Sequence, residues 1–440
     1  MKYILLVSLA LAVWPTAASA QTTHDPELFP VAVNRKFGYI DVNGRVVIGL
    51  RFSMLDVNGY FEEGQYFKEG LAIAFENGHG GFIDRTGRFV IEGPFFPRAH
   101  FSDGLARVDD RDGKTGFIDK AGELVIPTRF DRAEDFSEGL AAVQLNGKWG
   151  YADATGRMVI PPRFDDAGSF RDGFALVNVR SVRRGYVDKT GRFMPTPDEV
   201  EEFGTLAEGL VAVKVQNRWG FMNTLGRIVI APQFDPDIDG YYEDRYYGVF
   251  QDGAAPVKSG GKWGYIDRAG RFVIPPKFDR AEPFTGGLAK VSVNGKWGLI
   301  NRRGEFVAPP RFEKLEGFAE GLAVVSLDGR TYGFIDRGGR LVIAPRFNEA
   351  TRFSEGLAAV KTAVQAGGRV DYLWGYVDKS GRFVIEPQFI SAGVFDRGLA
   401  RQNISEFRGI PSPSPGFHNE WGYINRAGKY VWKSTGEVTP

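Results

Sequence analysis

Phe136 to Phe170 reads FSEGLAAVQLNGKWGYADATGRMVIPPRFDDAGSF, and Phe284 to Phe318 reads FTGGLAKVSVNGKWGLINRRGEFVAPPRFEKLEGF. Two stretches this alike in one chain mark a repeat, and a repeat decides the fold before any single residue does. The glycine after the tryptophan counts the copies: Gly38, Gly81, Gly116, Gly150, Gly185, Gly220, Gly264, Gly298, Gly333, Gly375 and Gly422. Most intervals are 34 or 35 residues; four are longer (43, 44, 42 and 47), each holding an insertion.

Local chemistry makes each unit a β-meander. Leu140–Leu145 is apolar and β-prone, and Asn146-Gly147 supplies the positive φ angles of a two-residue hairpin. Lys148–Asp153 then ends in Asp-x-x-Gly, with Asp153 and Gly156 at the first and fourth positions of a type I turn. The third strand, Arg157–Ile160, stops at Pro161-Pro162, because proline carries no amide for the ladder. A unit of this size is too small to hold a core alone. Stacking is therefore required, with Phe130, Phe136, Phe164, Phe170, Phe278 and Phe284 as cement between units.

The expected architecture is all-β: a tandem array of about eleven three-stranded antiparallel meanders. An open superhelical, solenoid-like array is favoured because propeller rings commonly hold about four to eight blades of four strands. A propeller-like ring is the alternative. The array covers about residues 31–432, preceded by a tail at 21–30 and followed by one at 433–440. Insertions lie near 53–66, 235–248, 362–373 and 403–420.

Gly-Lys-Trp-Gly-Tyr-Ile-Asp-x-x-Gly-Arg and Ile-Pro-Pro-x-Phe-Asp, as they stand here, resemble the bacterial WG (KWG) repeat. The resemblance implies a β-rich exported repeat protein with a binding or scaffolding role, and it supplies no catalytic residues. Gly80, Thr115 and Arg184 depart from it at the tryptophan position, and Phe37 and Tyr332 substitute another ring. The following aromatic is steadier, with Leu299 the one exception. The variable position is therefore placed toward a rim, where Trp149, Trp219, Trp263, Trp297, Trp374 and Trp421 form a row of partly exposed rings. Such a row offers contact area to a sugar or an extended peptide. Because the glycine recurs in all eleven units and the tryptophan does not, Gly150→Val is expected to be more damaging than Trp149→Ala.

Composition narrows the function. The chain of 440 residues is 43% hydrophobic with a formal net charge of +1, so no field steers it to nucleic acid or anionic lipid. There is no cysteine, which excludes disulfides, thiolate metal sites and a cysteine nucleophile. Residues 1–20 combine Lys2, an apolar run from Ile4 to Val13 and Ala18-Ser19-Ala20, the pattern of a secretory signal cleaved after Ala20. The run is too short to span a bilayer, so the mature chain is expected in the periplasm or the medium, with no integral membrane segment. The four histidines, His24, His79, His100 and His418, have no metal-ligand spacing. No nucleophile, phosphate-loop or dinucleotide motif occurs, and no cofactor or metal is implied.

The turn aspartates are better read as turn formers than as calcium ligands, since one carboxylate per unit cannot gather six oxygens. The acids of the Glu-Gly-Leu-Ala segment recur too often to be a catalytic pair. Tyr241, Tyr242, Tyr246 and Tyr247, clustered among acids in one insertion, are the further candidate contacts. The expectation is a non-catalytic envelope or secreted scaffold that binds a protein or a cell-wall glycan. A carbohydrate-active enzyme with an aromatic groove, or a structural spacer, are the competing readings.

Overall fold

A computed structural model describes residues 27–34, 36–53, 66–179, 183–236, 248–366, 368–404 and 421–434. Eleven small antiparallel sheets follow one another, eight with four strands and three with three. We number them as blades 1 to 11 in chain order. In blade 4, Leu140–Leu145, Lys148–Asp153 and Met158–Phe164 are the first, second and third strands. The strand beyond the expected three is a lead strand, Arg132–Ala133, which pairs with Gln144 and Val143. It lies between one unit's third strand and the next unit's first, and two residues are too few to show a period.

The recurring glycine has a steric cause. Ile160 pairs with Tyr151 and Phe164 with Trp149, so the third strand spends four steps where the second spends two. It bows outward at Pro161-Pro162, over Gly150. A Cβ on Gly150 would strike the Ile160 carbonyl oxygen and lie 2.7 Å from the Pro162 nitrogen. Gly220 and Gly264 meet the carbonyls of Ile230 and Ile274 at 2.5 and 2.6 Å. The glycine, the arch and the prolines that need no ladder partner there form one device.

Blades stack through rings. Tyr151 meets Phe170 at 4.8 Å between centroids, Tyr265 meets Phe284 at 4.7 Å and Tyr376 meets Phe395 at 4.9 Å, all tilted or edge-on. Each such pair adds about 0.5–1.5 kcal/mol to the apolar burial. The buried Tyr151 hydroxyl donates to the Gly168 carbonyl of the next blade at 2.8 Å, and burial holds that phenol protonated well above the usual tyrosine range.

The array is a closed eleven-bladed propeller, the alternative arrangement, and not the open solenoid. Inside the array the Asp-x-x-Gly turn of each blade rests on the third strand of the blade before it. A Cβ on Gly156 would lie 3.0 Å from Ile126, and one on Gly304 would lie 3.0 Å from Ile274. Blade 1 does the same to blade 11, where a Cβ on Gly44 would lie 2.7 Å from the Val431 Cβ. Phe29, Val31 and Ile40 share one core with Leu399, Trp421, Tyr423, Val431 and Trp432. Tyr423 donates to the Pro30 carbonyl at 3.4 Å. Blades 1 and 11 are thus neighbours and not caps, and the structure begins its first strand at Phe29, inside the expected tail.

Candidate interaction surface

Each blade has two ends. At one, the turn end, the Asp-x-x-Gly turn lies beside the Glu-Gly turn that opens the first strand. At the other, the hairpin end, the first strand turns into the second and the third strand leaves.

The turn end is interlocked around the ring. Glu138 and Gly139 have φ of 54° and 84°, and Ser137 bridges Leu140, so the Glu-Gly dipeptide is itself a tight turn of the I′ kind. A glutamate in that region is strained, and its carboxylate gives the reason for its recurrence. It accepts from the Gly173 amide of blade 5 at 3.1 Å and pairs with Lys189 at 3.0 Å. Glu320 repeats this with Gly356 and Lys379, and Glu355 with Gly398 and Arg426. The Lys189 contact holds the Glu138 carboxyl below the usual range. At the closing joint the charges are reversed: Arg397 stands in the acidic position and pairs with Glu27 at 3.2 Å.

The turn aspartates are equally committed. Asp153 Oδ1 accepts from the amides of Thr155 and Arg157 at 3.0 and 3.1 Å, and asparagines do the same at Asn223 and Asn301. The Ser380 hydroxyl and backbone amides push the Asp378 carboxyl down to about 2. Among the described residues no group of three or more His, Asp or Glu side chains could hold a metal ion. No helix among them is long and apolar enough to cross a membrane.

The row of partly exposed tryptophans is not what the structure shows. Trp149, Trp219, Trp263 and Trp421 are buried, and Trp297 and Trp374 are half-buried. The next blade covers the ring and a basic side chain lies near several of them, Lys214 at 6.0 Å from Trp219 and Arg401 at 4.2 Å from Trp421. Variation at this position has another cause. Where Gly80 replaces tryptophan, Phe75 of the facing strand occupies the space, with ring carbons 2.8–2.9 Å from where a Cβ would stand. The exposed apolar row belongs instead to the third strand. Val47, Val90, Val125, Val229, Val273, Val342 and Val384 are all exposed, each being the extra residue of a β-bulge. Tyr241, Tyr242, Tyr246 and Tyr247 lie outside the described residues.

The hairpin end is where the units differ. Segments 54–65 and 237–247 continue from third strands that end there, and 180–182 and 405–420 join first to second strands there. Blade 10 has a long hairpin at the same end, Ala358–Ala366 with Arg369–Val377. Ring closure makes blades 10, 11 and 1 consecutive.

The family model described as WG containing repeat matches residues 116–149, 149–181, 219–263, 263–297, 297–330, 332–362 and 374–401, more than half of the chain. The chain belongs to the WG repeat family. The WG units left unmatched include blade 5's second half, where Tyr186 pairs with Met194 and Val187 with Phe193 without the bulge of its neighbours. Comparison with curated protein sequences finds no match. Among solved structures, a eukaryotic initiation factor is similar at 12% identity and a TM-score of 0.37, over 72% of this chain and 93% of that one. BamB from Moraxella catarrhalis is similar at 15% and 0.29, over 64% and 95%. AztD from Citrobacter koseri is similar at 14% and 0.25, over 60% and 90%. No functional conclusion is carried over from these three.

Proposed function

We propose that this WG repeat protein is an exported, non-catalytic scaffold that binds another protein through the hairpin end of its ring. The observation that carries the reading is the blade 10 hairpin at that end, with nine residues in each strand against five or six in blades 4, 6, 8 and 9. Loops on a rigid framework are where recognition is commonly built. The opposite end supports the same reading from the other side. Its carboxylates are engaged by backbone amides and basic side chains, and a carboxyl held below its usual range is a poor general acid. Four of the six tryptophans are buried and two half-buried, a poor stacking platform for a glycan, which favours a protein partner. Export rests on the signal pattern of residues 1–20.

The test is site-specific photo-crosslinking in the source cell's envelope, with the reactive group at Tyr372 on the hairpin end or at Lys120 on the turn end. A discrete protein adduct from Tyr372 and none from Lys120 is expected, and removal of residues 1–20 should leave the protein in the cytoplasm. Turnover of a cell-wall glycan that is lost in Glu138→Gln would overturn the reading in favour of an enzyme.

A further inference from the structure

The blade 10 hairpin differs from every other described first-to-second-strand hairpin. Its two strands have nine residues each, against five or six in blades 4, 6, 8 and 9. Five pairs, from Thr362↔Leu373 to Ala366↔Arg369, extend beyond the sheet. The lead strand of the blade reaches only Val360 and Lys361, and the third strand pairs no further than Trp374. Both outer edges of this ribbon are therefore unpaired among the described residues. At about 3.3 Å per residue it projects roughly 17 Å.

The rest of the ring protects its edges. Most third strands carry prolines and bulges, and in eight blades a two-residue lead strand pairs with part of the first strand, the usual devices against strand addition. The ribbon has neither proline nor bulge. Its two faces differ: Ala363, Gln365, Val370 and Tyr372 share one face and are exposed, whereas the other carries half-buried Thr362, Val364 and Leu373 together with exposed Arg369 and Asp371. Val370 and Tyr372 alternate along the uncharged face, with half-buried Trp374 at its base. Lys361, beside Trp374, pairs with Glu349 at 3.0 Å.

We infer that this ribbon is a strand-addition site for an extended segment of another protein, about five residues long and apolar at every second position. An open row of main-chain amides and carbonyls is complementary only to another extended backbone, and the alternating apolar face selects the side chains. A second copy of this chain adding to the same edge is the competing occupant and an outcome of the test. The inference rests on the protein-binding reading and locates it.

The probe is a fluorescein-labelled heptapeptide, Thr-Val-Thr-Phe-Thr-Val-Thr, read by anisotropy against the full chain lacking residues 1–20. A Kd between about 1 µM and 1 mM is expected, with protection of amides 362–373 from hydrogen exchange. Tyr372→Lys should weaken binding at least tenfold. So should replacement of residues 362–373 by the blade 4 turn Leu-Asn-Gly-Lys, a connection the fold already uses. A peptide with proline at its centre should not bind. Binding that survives the shortened hairpin, protection elsewhere, or no binding at all overturns the strand-addition site. A peptide-sensitive dimer would also overturn it, by assigning the ribbon to a second copy. The broader reading falls separately, if crosslinking from Tyr372 captures nothing.

Discussion

At the turn end of the ring, blade after blade repeats the same contact: a strained acid, the glycine amide of the next blade and a lysine or arginine beside it. At the hairpin end five blades repeat a contact too, Lys114, Lys148, Arg218, Lys262 and Lys296 each pairing with the acid that follows its own third strand, but the length of the hairpin varies. The two ends are under different physical constraints. The turn-end contact joins neighbours on both sides and must be made in some form at every joint, even with its charges reversed at Arg397 and Glu27. A hairpin can lengthen beyond the pairs that its neighbouring strands hold without a penalty passed around the ring. Conservation of form within the chain is thus a map of where blades touch, and variation is a map of what is left free for a partner.

The sharpest test of that division lies in the arch that both ends depend on. Gly150→Val puts side-chain carbon against the backbone of Ile160, Pro161 and Pro162, none of which can rotate away. A loss above about 4 kcal/mol, or no folded protein, is expected from urea unfolding. Trp149→Ala, which empties a buried site, should cost about 3–5 kcal/mol, whereas half-buried Trp374→Ala near the ribbon should cost about 1–2 kcal/mol. The expected ranking of Gly150 above Trp149 is a narrow one, since the tryptophan is buried and not at a rim. Equal losses for the two tryptophans would break the distinction between the buried and the half-buried copies of this position.

Next in size is the turn-end contact itself. Glu138→Ala loses the bond to the Gly173 amide and keeps a Cβ at positive φ, and should cost about 1–2 kcal/mol. Glu138→Gly loses the same bond but accepts the φ of 54°, so its cost should be smaller, in line with the natural Gly286. If alanine and glycine behave alike, backbone strain has no part in the joint.

Much of this was legible in the sequence, because tight turns are local. Asn146-Gly147 and Asp153 to Gly156 name their own geometry, and the glycine period counts the blades. What the sequence hid is pairwise or global. The variable tryptophan looked like a rim residue, yet Phe75 opposite Gly80 shows a ring moving across a strand pair with the space kept full. The lead strand was too short to carry an alternation. Closure was concealed because its joint is built differently, with Arg397 against Glu27 where every other described blade from 2 to 10 has an acid or glycine. The Glu-Gly turn was visible as a motif, but its acid made sense only once the next blade's amide stood beside it.

A smaller effect separates charge from shape at the turns. Asp378 has its carboxyl pushed down to about 2 from the ordinary 3.8, so the folded state binds its proton less tightly than the unfolded chain. Its contribution is full above about pH 4 and fades as pH falls toward 2. Asp378→Asn keeps the acceptor that Asn223, Asn301 and Asn425 already use. The gap in urea midpoint between wild type and this variant should be small at pH 7 and should shrink as the pH is lowered from 4 to 2. A gap that widens on acidification would place the stabilisation in the protonated form and contradict the hydrogen-bond assignment.

The smallest effect on stability is expected where the largest effect on binding is. Replacing residues 362–373 by a four-residue turn removes five strand pairs, but none of them is shared with the lead or third strand of blade 10. An isolated two-stranded ribbon is marginal in water, so its removal should move the unfolding free energy by no more than about 0.5 kcal/mol, read from the same urea midpoints. Lys361 and Trp374, which the shortened turn would join, are the last pair that the sheet holds from both sides. Should the shortened chain instead lose stability on the scale of a buried residue, the ribbon would be part of the ring's packing, and the hairpin end would have to be regarded as a second structural seam.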